Sequence, residues 1–194
     1  MKGLAQFLAA VAVVALLSSA SLDSARYEVL PTSRIWIDGS STVGAYSCAG
    51  DRVTGYGVVE EEHTPTVEVE VAVPVRSFDC GIRQMNSDLA EALKAESHPN
   101  ISFSLDRVDV LLDSPAHGVW VPITAVGDLV VAGTQRRVSV ALEGQKQSDA
   151  HVRIRGSVPL EMTDFGIDPP TRLLGLVRTR NEIDVRFDIR ATRR

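Results

Sequence analysis

Along residues 66–75 every second position is a valine: Val67, Val69, Val71, Val73 and Val75 alternate with Glu68, Glu70, Ala72 and Pro74. In an extended chain successive side chains point to opposite faces, so this stretch is a strand with one buried face and one mostly wet face. The pattern returns in Ile101, Phe103 and Leu105 against Ser102, Ser104 and Asp106, and in Val138, Val140 and Leu142 against Ser139, Ala141 and Glu143. Val152, Ile154, Gly156, Val158 and Leu160 alternate with Arg153, Arg155, Ser157, Pro159 and Glu161, and Ile183, Val185, Phe187, Ile189 and Ala191 with Asp184, Arg186, Asp188, Arg190 and Thr192. Parallel sheets are covered on both faces, so half-wet strands are antiparallel. Less regular strands are expected at 34–38, 42–47, 53–60 and 120–131, between Gly, Asp and Ser-rich turns.

One helix is expected, at 88–96. Ser87 or Asn86 can cap its start, Leu89 and Leu93 lie one turn apart, and Pro99 forbids continuation. A helix this short and amphipathic is expected to cover an open end of a sheet structure, against which its two leucines pack. Antiparallel strands with one apolar face close either as a sandwich or as a barrel, and pattern alone does not choose. Glycines within strands (Gly55, Gly57, Gly156) and an aromatic content of only 5% make a thin inner lining, which leaves room for an enclosed space.

Residues 1–20 read as a secretory signal: Lys2 supplies a positive start, residues 4–17 are apolar except for Gln6, and Ser18 and Ala20 are small residues at the −3 and −1 positions of a cleavage site. A cut after Ala25 would put Asp23 at −3, so the mature chain is expected to start at Ser21, as one domain over 21–194. The apolar run is shorter than the roughly 20 residues of a spanning helix and no later segment offers a span, so no stable membrane span is expected. With 20 basic and 25 acidic residues interspersed along the chain and a net charge of −5, nucleic acid is not an expected partner. Export places Cys48 and Cys80, the two cysteines of the chain, where disulfides persist, and an even count favours one bridge.

Catalysis needs polar groups that converge. His63, His98, His117 and His151 show no HxH or HxxxH spacing, no CxxC occurs, and no metal site is expected. Glu60, Glu61 and Glu62 form an acidic run beside a turn, the arrangement of a solvated edge. Neither Gly39-Ser40-Ser41 nor Gly156-Ser157-Val158 matches a nucleophile turn, and no glycine-rich phosphate loop is present. What remains is apolar inner surface, a fit lining for a lipid-like or isoprenoid chain. No cofactor is implied.

Three stretches in order then carry a resemblance: 85–103, from Met85-Asn86-Ser87-Asp88-Leu89 to Pro99-Asn100-Ile101-Ser102-Phe103; 126–138, with Gly127-Asp128-Leu129, Gly133-Thr134 and Arg136-Arg137-Val138; and 163–167, Thr163-Asp164-Phe165-Gly166-Ile167. Together they resemble the YceI-like family of polyisoprenoid-binding proteins. One departure is visible: the family's commoner Asp-x-x-His-Ser opening keeps Asp38 here but has no His in Ile37-Asp38-Gly39-Ser40-Ser41-Thr42. The resemblance implies an all-β fold, an extended eight-stranded antiparallel lipocalin-like barrel with one short covering helix. It further implies a long apolar tunnel, in the periplasm or outside the cell.

The reading that follows is a non-catalytic carrier or store for a polyisoprenoid, quinone-like or fatty chain. Its expected ligand-lining residues are Val69, Val71, Val73, Ile101, Phe103, Val140, Val158, Leu160 and Phe187, with Cys48 and Cys80 bridged. The competing reading is a structural or protein-interaction barrel with a solid core. The oligomeric state stays open, a homodimer included.

Overall fold

The computed structural model describes residues 24–60, 66–110, 116–172 and 176–194. The expected cut after Ala20 and start at Ser21, as well as Glu61, Glu62 and His63, lie outside the described residues. The strands are β1 (Ser24–Val29), β2 (Arg34–Ser41), β3 (Gly44–Gly50), β4 (Thr54–Glu60), β5 (Thr66–Pro74), β6 (Phe78–Asp79), β7 (Asn100–Val110), β8 (Trp120–Val131), β9 (Thr134–Lys146), β10 (His151–Glu161), β11 (Thr171–Arg172) and β12 (Val177–Arg193). Every pairing is antiparallel, and the sheet closes into a barrel because the last strand, β12, pairs with β10 on one side and with β1 and β2 on the other.

Three of the barrel's eight staves are broken strands: β1 with β2, β3 with β4, and β5 with β6. A break leaves ladder groups of the neighbouring strand without partners, and a buried unpaired backbone group is costly. At the break between β1 and β2 the chain turns, and the fully buried Ser33 replaces the missing rung. Its hydroxyl donates to the Arg190 carbonyl at 3.1 Å and accepts from the Arg190 amide at 3.0 Å, while the Leu30 amide donates to the same carbonyl at 2.7 Å. The long stave β12 thus stays satisfied across the discontinuity.

Alternation carries the inside/outside division around the ring; the register slips between β12 and β2, from Thr179 to Ile183, without changing the inward parity, and along β7 it slips with a change of parity. Leu105 faces Gly127 and Arg107 faces Val126, so Asp106 is the extra residue of a bulge. The extra residue shifts the parity, which is how Leu105 and Val108 both reach the interior wall. Asp106 itself turns outward to pair with Arg137 on β9.

The helix, α1, spans Arg83–Ala92, not 88–96. Neither Asn86 nor Ser87 caps it. Asn86 sits in its first turn because the side-chain oxygen accepts the Cys80 amide at 2.7 Å and the side-chain amide donates to Asp79 at 3.0 Å, drawing the helix start back towards β6. Pro99 is not the stop either: Lys94 adopts the left-handed conformation at φ 52°, and the Ala95 amide returns to the Ala90 carbonyl at 2.9 Å. The helix and the segment after it cover one end of the barrel. There Val75, Leu93, Ala95, Val131, Ala132, Met162, Phe165 and Ile167 form a packed cluster, beside a second cluster of Ile37, Cys48, Val53, Val73 and Phe78. Cys48 and Cys80 are joined with S–S at 2.01 Å, across 32 residues of chain, and fix the start of the helix segment to β3.

Candidate functional site: an apolar cavity inside the barrel

Above the packed end the barrel is hollow. The cavity measures about 790 Å3 and its wall is drawn from every stave, from Val43, Ile82 and Met85 near the helix to Val59, Val67 and Val152 at the far end. Along β12 alone the wall takes Val177, Thr179, Ile183, Val185, Phe187, Ile189 and Ala191.

A barrel of this size is normally filled by its own inward side chains. Here four of the large ones pack against glycines of the wall itself. Phe187 faces Gly156 in register, and a β-carbon at Gly156 would stand 2.8 Å from its ring. Tyr46 faces Gly39 in the same way, with its hydroxyl and ring carbon inside contact distance of a β-carbon there. Phe103 lies over Gly127 and Ile123 over Gly144, at 2.6 and 2.7 Å from the positions a β-carbon would take. Each glycine provides a depression into which a ring or branched chain settles sideways, so bulk that would otherwise cross the lumen stays at its edge.

The structure places Val69, Val71, Ile101, Phe103, Val140, Val158, Leu160 and Phe187 on this wall. Val71, Phe103 and Leu129 are consecutive cross-strand neighbours on it. Val73, two residues beyond Val71 on the same face, is 2% exposed and packs against Ile37, Cys48, Val53 and Phe78 in the cluster below; it is not part of the wall. The wall also takes Met85 and Leu89 from α1 and the tyrosines Tyr27 and Tyr46, none of which is among the expected ligand-lining residues, although Leu89 is expected to pack on the barrel end. The pairing of a tyrosine with a facing glycine was the available signal for Tyr46. Burial raises the Tyr46 phenol above its ordinary pKa of 10.0, so it is neutral across the physiological range.

The strand charges pair with one another, and three charged residues, Asp88 of α1, Lys146 and Arg153, border the cavity. Arg153 makes a two-pronged contact with Asp188, its Nε at 2.8 Å from Oδ1, and Arg186 pairs with Asp38. Arg155, bonded to Glu143, lies over the Trp120 ring at 3.9 Å. The Arg153 guanidinium holds the Asp188 carboxyl below its usual range, and Arg186 does the same for Asp38. His117 lies 3.3 Å from Asp149 at the surface and His151 contacts Ser148 at 3.1 Å. Among the described residues no three His, Cys, Asp or Glu side chains gather as a metal site, and no helix is long and apolar enough to cross a membrane.

A closed antiparallel barrel around an apolar cavity, with a helix over one end, defines the class of lipocalin-like barrels. Within that class the YceI-like domain matches residues 32–191, and the chain belongs to this family. Three solved structures are similar in fold. The polyisoprenoid-binding domain from Saccharophagus degradans, implicated in plant cell wall breakdown, aligns at TM-score 0.68 with 13% identity, covering 87% of this chain and 98% of that one. BcnA from Burkholderia cenocepacia gives 0.65 with 17% identity over 84% and 98%. The YceI protein of Campylobacter jejuni gives 0.55 with 13% identity over 75% and 83%. No curated protein sequence matches the chain.

Proposed function

We propose that this protein is an exported, non-catalytic carrier or store that holds a long apolar chain, of polyisoprenoid, quinone-like or fatty character, inside its barrel. The observation that carries the reading is the hollow of about 790 Å3, kept open by side chains laid over wall glycines. That volume is at the upper end of the several hundred Å3 usual for ligand sites. Each five-carbon unit withdrawn from water contributes roughly 3–4 kcal/mol at about 0.8 per methylene, so a few units suffice for tight binding to a preformed cavity. The Cys48–Cys80 bridge and the name of the Saccharophagus relative support an oxidising, extracytoplasmic setting and an isoprenoid cargo. On this reading Val69, Val71, Ile101, Phe103, Val140, Val158, Leu160 and Phe187 touch the chain, while Val73 supports the floor beneath it.

The test is Val71→Phe, in mid-strand on the wall. In a solid core such a change costs about 1–3 kcal/mol of stability. In a hollow barrel the ring occupies space the ligand uses, so the denaturant midpoint stays close to wild type while uptake of a fluorescent polyene is lost. A strongly destabilised variant of a wild type that takes up no apolar chain would establish the solid interaction barrel instead.

A further inference from the structure

Four large apolar side chains stand well out in solvent among the described residues, and three of them lie on the helix side of the barrel rim: Val43 at 74% exposure, Ile82 at 61% and Leu176 at 77%. Val43 is the tip of the turn between β2 and β3, and Leu176 lies in the turn that leads into β12. The two turns are bonded side by side. The Thr42 hydroxyl donates to the Leu176 carbonyl at 3.0 Å, the Thr42 amide to the Arg178 carbonyl at 3.0 Å, and the Arg178 amide to the Thr42 hydroxyl at 3.2 Å. Ile82 immediately precedes α1 and is held close to β3 by the neighbouring Cys80–Cys48 bridge. Val43 and Ile82 are at once exposed and part of the cavity wall, so beside the start of α1 apolar side chains reach from the outside of the protein to the hollow, away from the packed cluster under the end of the helix; this rim is the mouth.

Beside Leu176 the charge has the opposite sign to the chain, whereas Ile82 has Arg83 on one side and Asp79, bonded to the Gly81 amide, on the other. The protein carries a net charge of −5, yet residues 169–181 hold Arg172, Arg178 and Arg180 and no acid. Arg178 and Arg180 are exposed on the strand behind Leu176, and the exposed Arg83 adjoins Ile82. Apolar tips with arginines set behind them match the layering of a lipid surface, in which phosphates lie above acyl chains. Such a surface attracts basic side chains within a Debye length and takes apolar ones below the headgroups.

We propose that this mouth docks on the surface of a bilayer containing anionic phospholipids, with Val43, Ile82 and Leu176 inserted at headgroup depth and Arg83, Arg178 and Arg180 against the phosphates. The proposal rests on the carrier reading for its purpose: a docked mouth lets an apolar chain pass between bilayer and hollow without crossing water. Its test does not need cargo.

Purified mature protein is floated with vesicles of phosphatidylcholine, with or without phosphatidylglycerol. Leu176→Ser with Arg180→Gln is compared with wild type; neither residue is on the cavity wall, so polyene uptake and thermal midpoint report that the variant is intact. Wild type is expected to float with the anionic vesicles at least about tenfold better than with phosphatidylcholine alone, and to lose that preference as ionic strength rises from about 0.05 to about 0.5 M. The double variant is expected to lose most of the flotation while keeping its polyene uptake. Absence of flotation, flotation indifferent to salt and lipid charge, or equal flotation of the variant would overturn the docking proposal and leave the carrier reading standing. So would a solution dimer that the double variant dissolves and that binds no vesicles, which would assign the mouth to a second copy. Flotation with no polyene uptake would remove the carrier reading and leave the docking surface.

Discussion

Phe187 on β12 lies across Gly156, its register partner on β10, so closely that a β-carbon at Gly156 would stand 2.8 Å from the ring, 2.9 Å from the Ala141 carbonyl oxygen and 2.9 Å from the Leu142 β-carbon. The ring can move; the carbonyl cannot without shifting β9. Gly156→Ala is therefore expected to push Phe187 off the wall into the hollow and to strain the strand, lowering stability by about 1–3 kcal/mol as overpacking does. The measurement pairs a denaturant midpoint with polyene affinity, and affinity falls along with stability. Unchanged affinity would show that the ring's position does not define the ligand space.

The cluster beneath the helix depends on Leu93, 6% exposed among Val75, Ala95, Val131, Met162 and Phe165. Leu93→Ala leaves a void there and is expected to cost about 2–4 kcal/mol. Equilibrium unfolding in urea reads this directly. A loss below about 0.5 kcal/mol would mean that the end of the helix does not rest on this packing.

Much of this architecture was legible in the sequence, and where it was not the reasons are local. The alternation from Val67 onward gave β5 and its buried face, because a period of two admits one assignment. It did not show β1, which the chain needs in order to close: residues 24–29 alternate weakly, and the strand is held by pairing with β4 and the end of β12, partners distant in sequence. Helix bounds were displaced because Asn86 reads as a cap, whereas its side chain is engaged by the Cys80 amide. The position of Val73 shows a further limit. Periodicity tells which face of β5 points inward but not how far along the barrel axis the packed floor ends and the hollow begins, and Val71 and Val73 fall on opposite sides of that line. The Asp106 bulge was hidden for a similar reason, since Leu105 and Val108 both face inward only if the register slips between them.

Acid should loosen the outer ladder in a predictable direction. The Asp188 carboxyl is held below its ordinary value of 3.8, first by its hydrogen bonds to Arg153. A folded-state pKa below the unfolded one gives stability that is present above the unfolded value and lost as pH falls through the folded one. Wild type is expected to lose stability steadily below about pH 4. Asp188→Asn is expected to start lower at neutral pH and to decline less steeply, with the remaining slope set in part by Asp38, which Arg186 shifts the same way. Parallel midpoint-against-pH curves for the two proteins would remove the Arg153–Asp188 contact from the account.

The claim that the barrel is a container is tested most directly by native mass spectrometry of the protein purified, without detergent, from the cells that make it. The account predicts a population heavier than the polypeptide by a discrete mass, released on denaturation and soluble in organic solvent, and lost from Val71→Phe. A spectrum showing only bare polypeptide, from a protein that also takes up no added polyene or isoprenoid chain, would contradict it.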